Sequence, residues 1–349
     1  MFFTPQIIKK IKKNNLIGRG CNNFPTAKKW LMVKNFKTPG NKFVICNISE
    51  SEPGVFKDEY ILAHFPDRII DGIKIAIQTL KSSQGFIYLR PDYYSKFSNT
   101  LLKLIEKENL NIELYSKPDH SYIGGEETAL INSMEGKRIE PRLKPPYPPT
   151  HGFNNQPTLV NNCETFYAIS KINSNEFKNT KFFCVTEDGE KPQIKELPED
   201  LTIKKVLQEF NHEPSDKYFY QIGGSASGDC LNSKQLNRGF KGIGSIIIYP
   251  KNKSEKDLVL GWSSFFKNES CGQCVPCREG TYRLHNMLEE YYYKNQSINQ
   301  ELFEDLVYSL QNSSLCPLGR VSANAILTYW KNIKKKEIFS TTGEKCDIK

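Results

Sequence analysis

Three cysteines, each separated from the next by two residues, place the strongest constraint on this chain. They are Cys271, Cys274 and Cys277, within Glu-Ser-Cys-Gly-Gln-Cys-Val-Pro-Cys-Arg-Glu-Gly, and Cys316 follows within Leu-Cys-Pro-Leu-Gly. Four thiolates supplied by one tight loop and one distant turn are typical ligands of a cubane iron–sulfur cluster. The alternative is a structural zinc site, although such sites more often contain separated cysteine pairs. The pattern predicts that the two segments meet in the fold and that the chain carries electrons.

Length and composition indicate a multidomain protein of a reducing compartment. The chain has 349 residues, so two or three domains are expected. No apolar run approaches the ~20 residues that span a bilayer, and the Met-Phe-Phe start has no feature of a secretory signal. Four of the ten cysteines are grouped as ligands, which favours a reducing compartment over a disulfide scaffold. We expect a cytoplasmic location, free or on the inner face of a membrane complex, with no direct membrane span.

Positive charge is concentrated near the amino terminus. Residues 1–49 contain no Asp or Glu but contain Arg19 and nine lysines, a charge of +10. The whole chain carries +9, which leaves −1 for the other 300 residues. Such a segment either attracts an anion, for example a phosphorylated cofactor or an acidic subunit, or is only a solvated helix face. No nucleic-acid module accompanies it, so nucleic acid is not expected as a partner.

The first half of the chain alternates strand and helix patterns. Strands are expected at 42–48, 86–89 and 112–115, and helices at 69–80 and around 101–105. This β-α-β-α-β order predicts a parallel sheet with crossover helices, whose ligands lie at the carboxyl ends of the strands.

The second half predicts a small mixed unit followed by helices. Strands are expected at 180–185, 193–196, 218–222 and 244–249, with a helix that Thr202 caps and that runs to Phe210. Later helices are expected at 278–292, 300–311 and 322–336, with Cys316 between the last two. A helical bundle that holds the cysteine cluster at one end is the predicted arrangement.

Four further motifs are unusual for scaffold alone. Residues 18–30 form a glycine-rich, basic loop that suits close approach to a phosphate. The other three are Asn-Ile-Ser-Glu-Ser-Glu-Pro-Gly from Asn47, Tyr-Ile-Gly-Gly-Glu-Glu-Thr-Ala from Tyr122 with Lys-Pro-Pro-Tyr from Lys144, and the pair Asn161-Asn162. Each has an ordinary structural explanation by itself, such as a helix cap or a charge that complements a helix dipole.

Together and in this order, the motifs resemble the NADH-oxidising flavoprotein subunit of respiratory complex I and its relatives in NAD-linked hydrogenases and formate dehydrogenases. The resemblance extends from Gly18 to about Gly319. It implies an α/β fold with a basic segment and glycine loop (1–35), a Rossmann-like domain that binds FMN and NADH (36–172), a ubiquitin-like β-grasp domain (173–256) and a helical bundle with a [4Fe-4S] cluster (257–349). The implied function is hydride transfer from NADH to FMN, then passage of single electrons to the cluster and to other iron–sulfur subunits of an oxidoreductase complex.

The resemblance also assigns residues by motif position. The positions that match the flavin pocket are Gly18, Arg19, Gly20, Lys29, Asn47, Tyr122, Gly125, Glu126, Asn161 and Asn162, with Lys29 near the phosphate. The positions that match the nicotinamide-nucleotide site are Phe24, Glu52, Glu127, Lys144 and Tyr147. Of these, Glu52 and Glu127 are the candidate catalytic residues. The four cysteines match all four cluster ligands.

Some positions depart from the family pattern. The family normally reads Gly-Arg-Gly-Gly-Ala-Gly-Phe-Pro-Thr-Gly. This chain has Cys21, Asn22 and Asn23 in place of Gly-Ala-Gly, Ala27 in place of the last Gly, and Ser49 in place of an aspartate. A side chain at a position of positive φ costs roughly 1–2 kcal/mol, so the changes predict weakened flavin binding. Two alternatives therefore stay open: a flavin-less iron–sulfur relay or docking subunit of the same descent, and a zinc-stabilised binding module.

Overall fold

The structure, a computed structural model, describes residues 5–20, 23–240 and 242–336. Its helices are α1 (Gln6–Lys13), α2 (Thr26–Asn35), α3 (Lys57–His64), α4 (Pro66–Leu80), α5 (Pro91–Lys107), α6 (Glu127–Met134), α7 (Cys163–Asn173), α8 (Ile203–Glu209), α9 (Glu255–Glu269), α10 (Val275–Lys294), α11 (Gln300–Ser313), α12 (Pro317–Val321) and α13 (Asn324–Tyr329). Its strands are β1 (Phe43–Ile48), β2 (Gln84–Leu89), β3 (Ile112–Ser116), β4 (Thr158–Asn162), β5 (Thr180–Glu187), β6 (Gln193–Pro198), β7 (Tyr218–Ile222), β8 (Asp229–Leu231) and β9 (Ser245–Pro250).

A parallel four-stranded sheet occupies the first half of the chain. Its strand order is β3-β2-β1-β4, which confirms the expected alternation of strands and crossover helices. Strand β4 was not expected, and it pairs Asn162 with Asn47 in register. Because parallel strands end on the same side, this register brings the polar ends of β1 and β4 together.

Helices α1 and α2 share the core of this sheet. Ile8, Ile11, Trp30 and Val33 are buried in the same apolar cluster as the strands and as helices α4 and α7. The three isoleucines of α1 lie on its inner face, whereas its lysines lie on its outer side. Burial of an amphipathic face is what stabilises a helix of only eight residues.

A mixed five-stranded sheet follows, in the order β6-β5-β9-β7-β8. Strand β9 runs parallel to β5 and antiparallel to β7, while β6 and β8 pair antiparallel at the two edges. Helix α8 begins after Thr202, whose hydroxyl accepts a hydrogen bond from the backbone N–H of Lys205, as the sequence predicted. Its apolar face packs on this sheet in a separate cluster.

The carboxyl-terminal region is helical, with two differences from the expected bounds. Helix α10 begins at Val275 instead of residue 278, because Pro276 fits the first turn and Cys274 is the extended N-cap residue. The helix expected over 322–336 is present, but it begins at Asn324 as α13 and continues as a π-helical turn over Trp330–Lys334. The Ser322 hydroxyl donates to the Gly319 carbonyl at 2.8 Å, and residues 322–323 form a turn that separates α12 from α13. Among the described residues, no helix combines the length and apolar character of a membrane span.

Candidate active site and cysteine cluster

A cavity of about 270 Å³ lies where β1 and β4 end. Loops that follow these strands line it together with the glycine loop and the Tyr122 segment. Twelve of the predicted flavin and nucleotide residues line it: Gly18, Gly20, Phe24, Lys29, Asn47, Glu52, Tyr122, Gly125, Glu126, Glu127, Asn161 and Asn162. The structure therefore gathers residues that are more than 140 positions apart in the sequence.

Three predicted residues do not line the cavity. The buried guanidinium of Arg19 pairs with Glu199 and donates to the Thr180 carbonyl at 3.1 Å, so it joins the glycine loop to the mixed sheet. Lys144 does not reach the cavity itself but forms an ion pair with Glu126, which lines it. Tyr147 is about half exposed.

Two asparagines at the strand ends organise the cavity floor. The Asn47 amide nitrogen donates to the Gly125 carbonyl at 2.9 Å, and its oxygen accepts from the Ser49 hydroxyl at 2.6 Å. Asn162 caps α7 by accepting from the Glu164 backbone N–H at 3.0 Å, and its amide donates to Asp58 at 2.7 Å. The N-cap explanation of Asn162 is thus confirmed, and the same residue also lines the cavity.

A buried charge network beside Asn162 was not expected from the sequence. The Lys57 ammonium contacts Asp58 and lies 3.3 Å from Glu164, and all three side chains are nearly inaccessible. The two carboxylates raise the pKa of Lys57 well above its usual value against the opposing effect of burial. Burial, and then the nearby Asp58 carboxylate, raise the pKa of Glu50 to about 8. A Lys-Asp pair at the start of a helix is typical of a solvated surface, so no sequence signal revealed this network.

Glu52 connects the parallel sheet to the mixed sheet. One carboxylate oxygen accepts from the backbone N–H groups of Ala226 and Ser227 and from the Ser227 hydroxyl, each at 3.1 Å. Burial raises the pKa of Glu52, and these donors, with the Tyr122 hydroxyl, oppose that shift. Ser227 itself lines the cavity, although no motif or spacing indicated it.

Helix α6 presents two adjacent carboxylates to the cavity. Glu126 is the N-cap and accepts from the backbone N–H groups of Thr128 and Ala129, each at 2.9 Å. Glu127 follows in the first turn, and one of its oxygens lies 2.9 Å from the Lys29 ammonium. A helix amino terminus stabilises both negative charges.

The cavity has the chemistry that a flavin phosphate and a polar ring system require. The side-chain oxygens of Asn161 and Thr26 are buried on its wall without a hydrogen-bond partner. Buried polar atoms are nearly always paired, so two unpaired atoms on one wall indicate that a bound group would complete their hydrogen bonds. A Cβ at Gly20 would contact only Asn162, at 3.9 Å, so the missing side chain leaves room for a bound group. These residues fit FMN.

The four predicted cysteines surround a second, smaller cavity. Cys271, Cys274, Cys277 and Cys316 all line it, which confirms that the loop and the distant turn meet. Cys274 is the N-cap residue of α10 and Cys316 that of α12, so both helix amino termini face the thiols, an arrangement that favours anionic sulfur. Within the described residues, no group of three or more His, Cys, Asp or Glu side chains converges on a position for a single metal ion.

Polar groups of the protein contact two of these cysteines. The Ser270 hydroxyl lies 3.4 Å from the Cys277 sulfur. The backbone N–H groups of Leu318 and Gly319 hydrogen-bond to the Cys316 sulfur, which lowers the pKa of Cys316 against the effect of burial. Burial raises the pKa of Cys277 to about 12 and that of Cys316 to about 11. Coordination to iron would offset this penalty, because a coordinated thiol is deprotonated outright.

The two cavities share a wall. Ile123 and Leu318 line both of them, so a single layer of side chains separates the first cavity from the cysteines. Ile123 belongs to the Tyr122 motif and Leu318 to helix α12, which begins directly after Cys316, so the first cavity and the cysteine cavity are immediate neighbours.

Comparisons with known proteins agree with this arrangement. The model of the Nuo51 FMN-binding domain matches residues 11–171, and that of the NADH-ubiquinone oxidoreductase-F iron-sulfur binding region matches residues 257–337. An NADH-quinone oxidoreductase subunit of Aquifex aeolicus is 34% identical, over 92% of this chain and 82% of the relative. The match to an iron–sulfur region favours the cluster over zinc.

Hydrogenase subunits are similar over most of the chain. The NAD-reducing hydrogenase HoxS subunit alpha of Cupriavidus necator is 32% identical, over 93% of this chain and 58% of the relative. A crystal structure of NAD+-reducing [NiFe]-hydrogenase in the air-oxidised state superposes with a TM-score of 0.86 at 28% identity, over 94% of this chain and 61% of that chain. This chain thus spans less than two thirds of either hydrogenase chain. By its motifs, its two matched domains and its relatives, it belongs to the NADH-ubiquinone oxidoreductase-F family, the NADH-oxidising flavoproteins of complex I and NAD-linked hydrogenases.

Proposed function

We propose that this chain is the electron-input subunit of a multisubunit oxidoreductase, oxidising NADH in the first cavity and delivering electrons to a [4Fe-4S] cluster on the four cysteines. The main support is the wall that Ile123 and Leu318 form between the two cavities. Because of it, only one layer of side chains lies between the proposed flavin cavity and the proposed cluster ligands. When bound, FMN supplies uptake of a hydride and release of single electrons, which no side chain can provide. This arrangement favours the flavoenzyme over a flavin-less relay.

Each part of the cavity has a proposed task. Lys29 binds the flavin phosphate, and the Asn47, Asn161 and Asn162 side chains hold polar edges of the ring system and ribityl chain. Glu52 and Glu127 accept hydrogen bonds from the nucleotide, and their negative charge opposes a 2′-phosphate. Phe24 provides a stacking surface in the cavity. Outside the cavity, Lys144 holds Glu126 by an ion pair, and the half-exposed Tyr147 ring offers a second stacking surface for the nucleotide.

The domain bounds are also a proposal: 1–35, 36–172, 173–256 and 257–349. The parallel sheet with helices on its faces supports a Rossmann-like domain for the second segment. The mixed sheet, with α8 between its second and third strands in chain order, supports a ubiquitin-like β-grasp domain for the third segment. The basic segment shares the core of the first sheet, so it acts as part of that domain in folding.

A partner iron–sulfur subunit is proposed to take electrons at the Cys271 loop. Val275 and Tyr282 are exposed on one face of α10, and the exposed guanidiniums of Arg138 and Arg278 flank Gly272. An apolar centre with a charged rim is typical of a protein interface. Arg138 pairs with Glu140 and Arg278 with Glu279, so the rim carries both signs. Lys267 in the adjacent groove adds the positive charge that is proposed to attract an acidic electron carrier.

Anaerobic purification with flavin, iron and sulfide analysis tests the proposal. We expect one FMN and one [4Fe-4S] cluster per chain, and NADH should bleach the flavin absorbance and produce a reduced-cluster EPR signal. A protein that holds the cluster but never binds FMN would instead be a relay, and stoichiometric zinc would make it a zinc-stabilised module.

A further inference from the structure

Two cationic side chains are found among the described residues that line the first cavity, and only one is available to a ligand. Lys57 is 3% exposed and is held by Asp58, Glu164 and the Asn162 amide oxygen. Withdrawing it would leave buried carboxylates without a counter-charge, which is costly. Lys29 has an 18% exposed side chain, so the phosphate of FMN must be bound there if a lysine binds it.

Lys29 already has an anionic partner. Its ammonium lies 2.9 Å from a Glu127 carboxylate oxygen and 3.2 Å from the Val160 carbonyl. Glu127 is 16% exposed at the amino terminus of α6, where the helix dipole stabilises its charge without Lys29. The carboxylate therefore tolerates loss of this partner, whereas the Lys57 network does not.

We propose that Glu127 is the resident counter-charge of Lys29, and that the phosphate of FMN displaces it, so that flavin loading releases the Glu127 carboxylate for the nicotinamide nucleotide. This inference rests on the proposed function. A phosphate monoester carries −1.5 to −2 charges near neutral pH, so it outcompetes a single carboxylate for the ammonium. Flavin and nucleotide binding then favour each other, because binding free energies are reciprocally linked.

A flavin titration of the full-length, cluster-containing, flavin-depleted protein tests the competition. Glu127→Gln should tighten FMN roughly twofold to fivefold, the range expected when a partly screened ion pair no longer competes. Riboflavin, which lacks the phosphate, should bind the variant and the unmodified protein equally. In a protein that already carries Lys29→Gln, adding Glu127→Gln should no longer tighten FMN binding.

The double variant separates competition from plain repulsion. If Glu127 only repelled the phosphate, its removal would tighten FMN as much or more without Lys29, and that result would overturn the inference. Equal FMN affinity in Glu127→Gln and unmodified protein would overturn it as well. Failure of every form to bind FMN would instead refute the proposed function.

Nucleotide affinity gives a second readout. In the unmodified protein, NAD+ should bind several-fold more tightly with FMN in the cavity than with riboflavin, because riboflavin leaves Lys29 on Glu127. In Glu127→Gln the two flavins should give the same NAD+ affinity. If the unmodified protein bound NAD+ equally tightly with FMN and with riboflavin, the proposed release of Glu127 would be contradicted.

Discussion

Glu52 accepts hydrogen bonds from both the backbone N–H and the hydroxyl of Ser227, each at 3.1 Å, although 175 positions separate the residues. This contact sets a candidate catalytic carboxylate, carried by the first sheet, against a loop of the mixed sheet. Gly224 makes the approach possible, because its φ is +125° and a Cβ there would lie 2.2 Å from the Glu52 Cγ.

The first prediction is that Gly224→Ala displaces Glu52. The clash and the unfavourable φ should lower the free energy of unfolding by about 2–4 kcal/mol and weaken NADH binding. Urea unfolding and a nucleotide titration measure the two effects. Gly239→Ala is the matched control, since a Cβ there meets nothing within 4 Å. Equal behaviour of the two variants would show that Gly224 does not position Glu52.

The second prediction concerns Glu50 and pH. Its pKa rises from 4.5 to about 8 in the folded protein, so between these values the native state holds a proton that the unfolded chain has released. The resulting stabilisation is complete below about pH 4.5 and is lost as the pH rises through about 8. Relative to Glu50→Gln, the unmodified protein should therefore lose more than about 1.4 kcal/mol of unfolding free energy between pH 5 and 8.5.

Urea unfolding of both flavin-depleted proteins across this pH range measures the difference, because other titrating groups are common to them. A constant difference between the two proteins from pH 5 to 8.5 would contradict the raised pKa. A difference that grows in favour of the unmodified protein would mean that Glu50 is ionised when folded.

Local patterns predicted most of the fold. Apolar residues at helical spacing identified α4, and short apolar runs identified β1 and β2, because these elements are buried on faces that the period of the sequence reveals. Strand β4 was not predicted because only Leu159 and Val160 are apolar in it and two asparagines follow them. The helix expected over 322–336 begins two residues later and ends in a π-helical turn, because neither the turn at Ser322 nor a change of helix type alters the apolar periodicity.

Sequence motifs predicted the site residues that lie in contiguous signatures. They did not predict the ion pairs that form only when distant segments meet in the fold. The Tyr122 motif and the cysteines are contiguous signatures, so the family resemblance located them. Arg19 lies within the glycine loop, yet its guanidinium reaches Glu199, and Lys57 is neutralised by Glu164. Such ion pairs join segments more than 100 residues apart, and neither spacing nor composition indicates them.

The third prediction is that the cysteines divide into two functional groups. Cys274→Ala should abolish the cluster, measured as loss of iron, sulfide and the EPR signal, because three thiolates do not complete a four-ligand site. Cys184→Ala is the control, because Cys184 is buried elsewhere, in the mixed sheet. Cys46, Cys163 and Cys230 should also be dispensable; so should Cys21 and Cys346, which lie outside the described residues. Retention of a full cluster in Cys274→Ala would refute the ligand assignment.

The fourth prediction tests the surface beside the Cys271 loop. Lys267 lines a groove there with Arg278 and Tyr282, so Lys267→Glu should slow NADH-dependent reduction of an acidic [2Fe-2S] ferredoxin, and added salt should slow it in the unmodified protein. Menadione, a small neutral acceptor, should be reduced at the same rate by both. Lys191→Glu, in the turn between β5 and β6, is the charge-matched control. Equal ferredoxin rates in all three proteins would place the partner elsewhere.

The last prediction concerns the altered glycine loop. Asn23 lines the cavity with φ at +46°, a conformation that asparagine adopts at some cost and glycine adopts freely; Cys21 and Asn22 lie outside the described residues. Ser49 donates its hydroxyl proton to Asn47, so it adds no charge to the wall where the family has a carboxylate. Restoring the family residues with Cys21→Gly, Asn22→Ala and Asn23→Gly should tighten FMN roughly fivefold to tenfold, about 1–1.4 kcal/mol. The gain comes from removing the Asn23 side chain from the cavity and from letting a glycine backbone adjust to the flavin.

Adding Ser49→Asp should increase that gain, because an aspartate accepts hydrogen bonds from the flavin more strongly than a neutral hydroxyl does. Fluorescence titration of the flavin-depleted protein measures each step, and Asn15→Gly is the control, since Asn15 also has a positive φ, of 47°, but does not line the cavity. If Asn15→Gly tightened FMN as much as the restored loop, the gain would come from general stabilisation. If the unmodified protein already held one FMN tightly and restoration changed nothing, the loop would not limit flavin binding, and Asn23 would be a harmless replacement for the family's glycine.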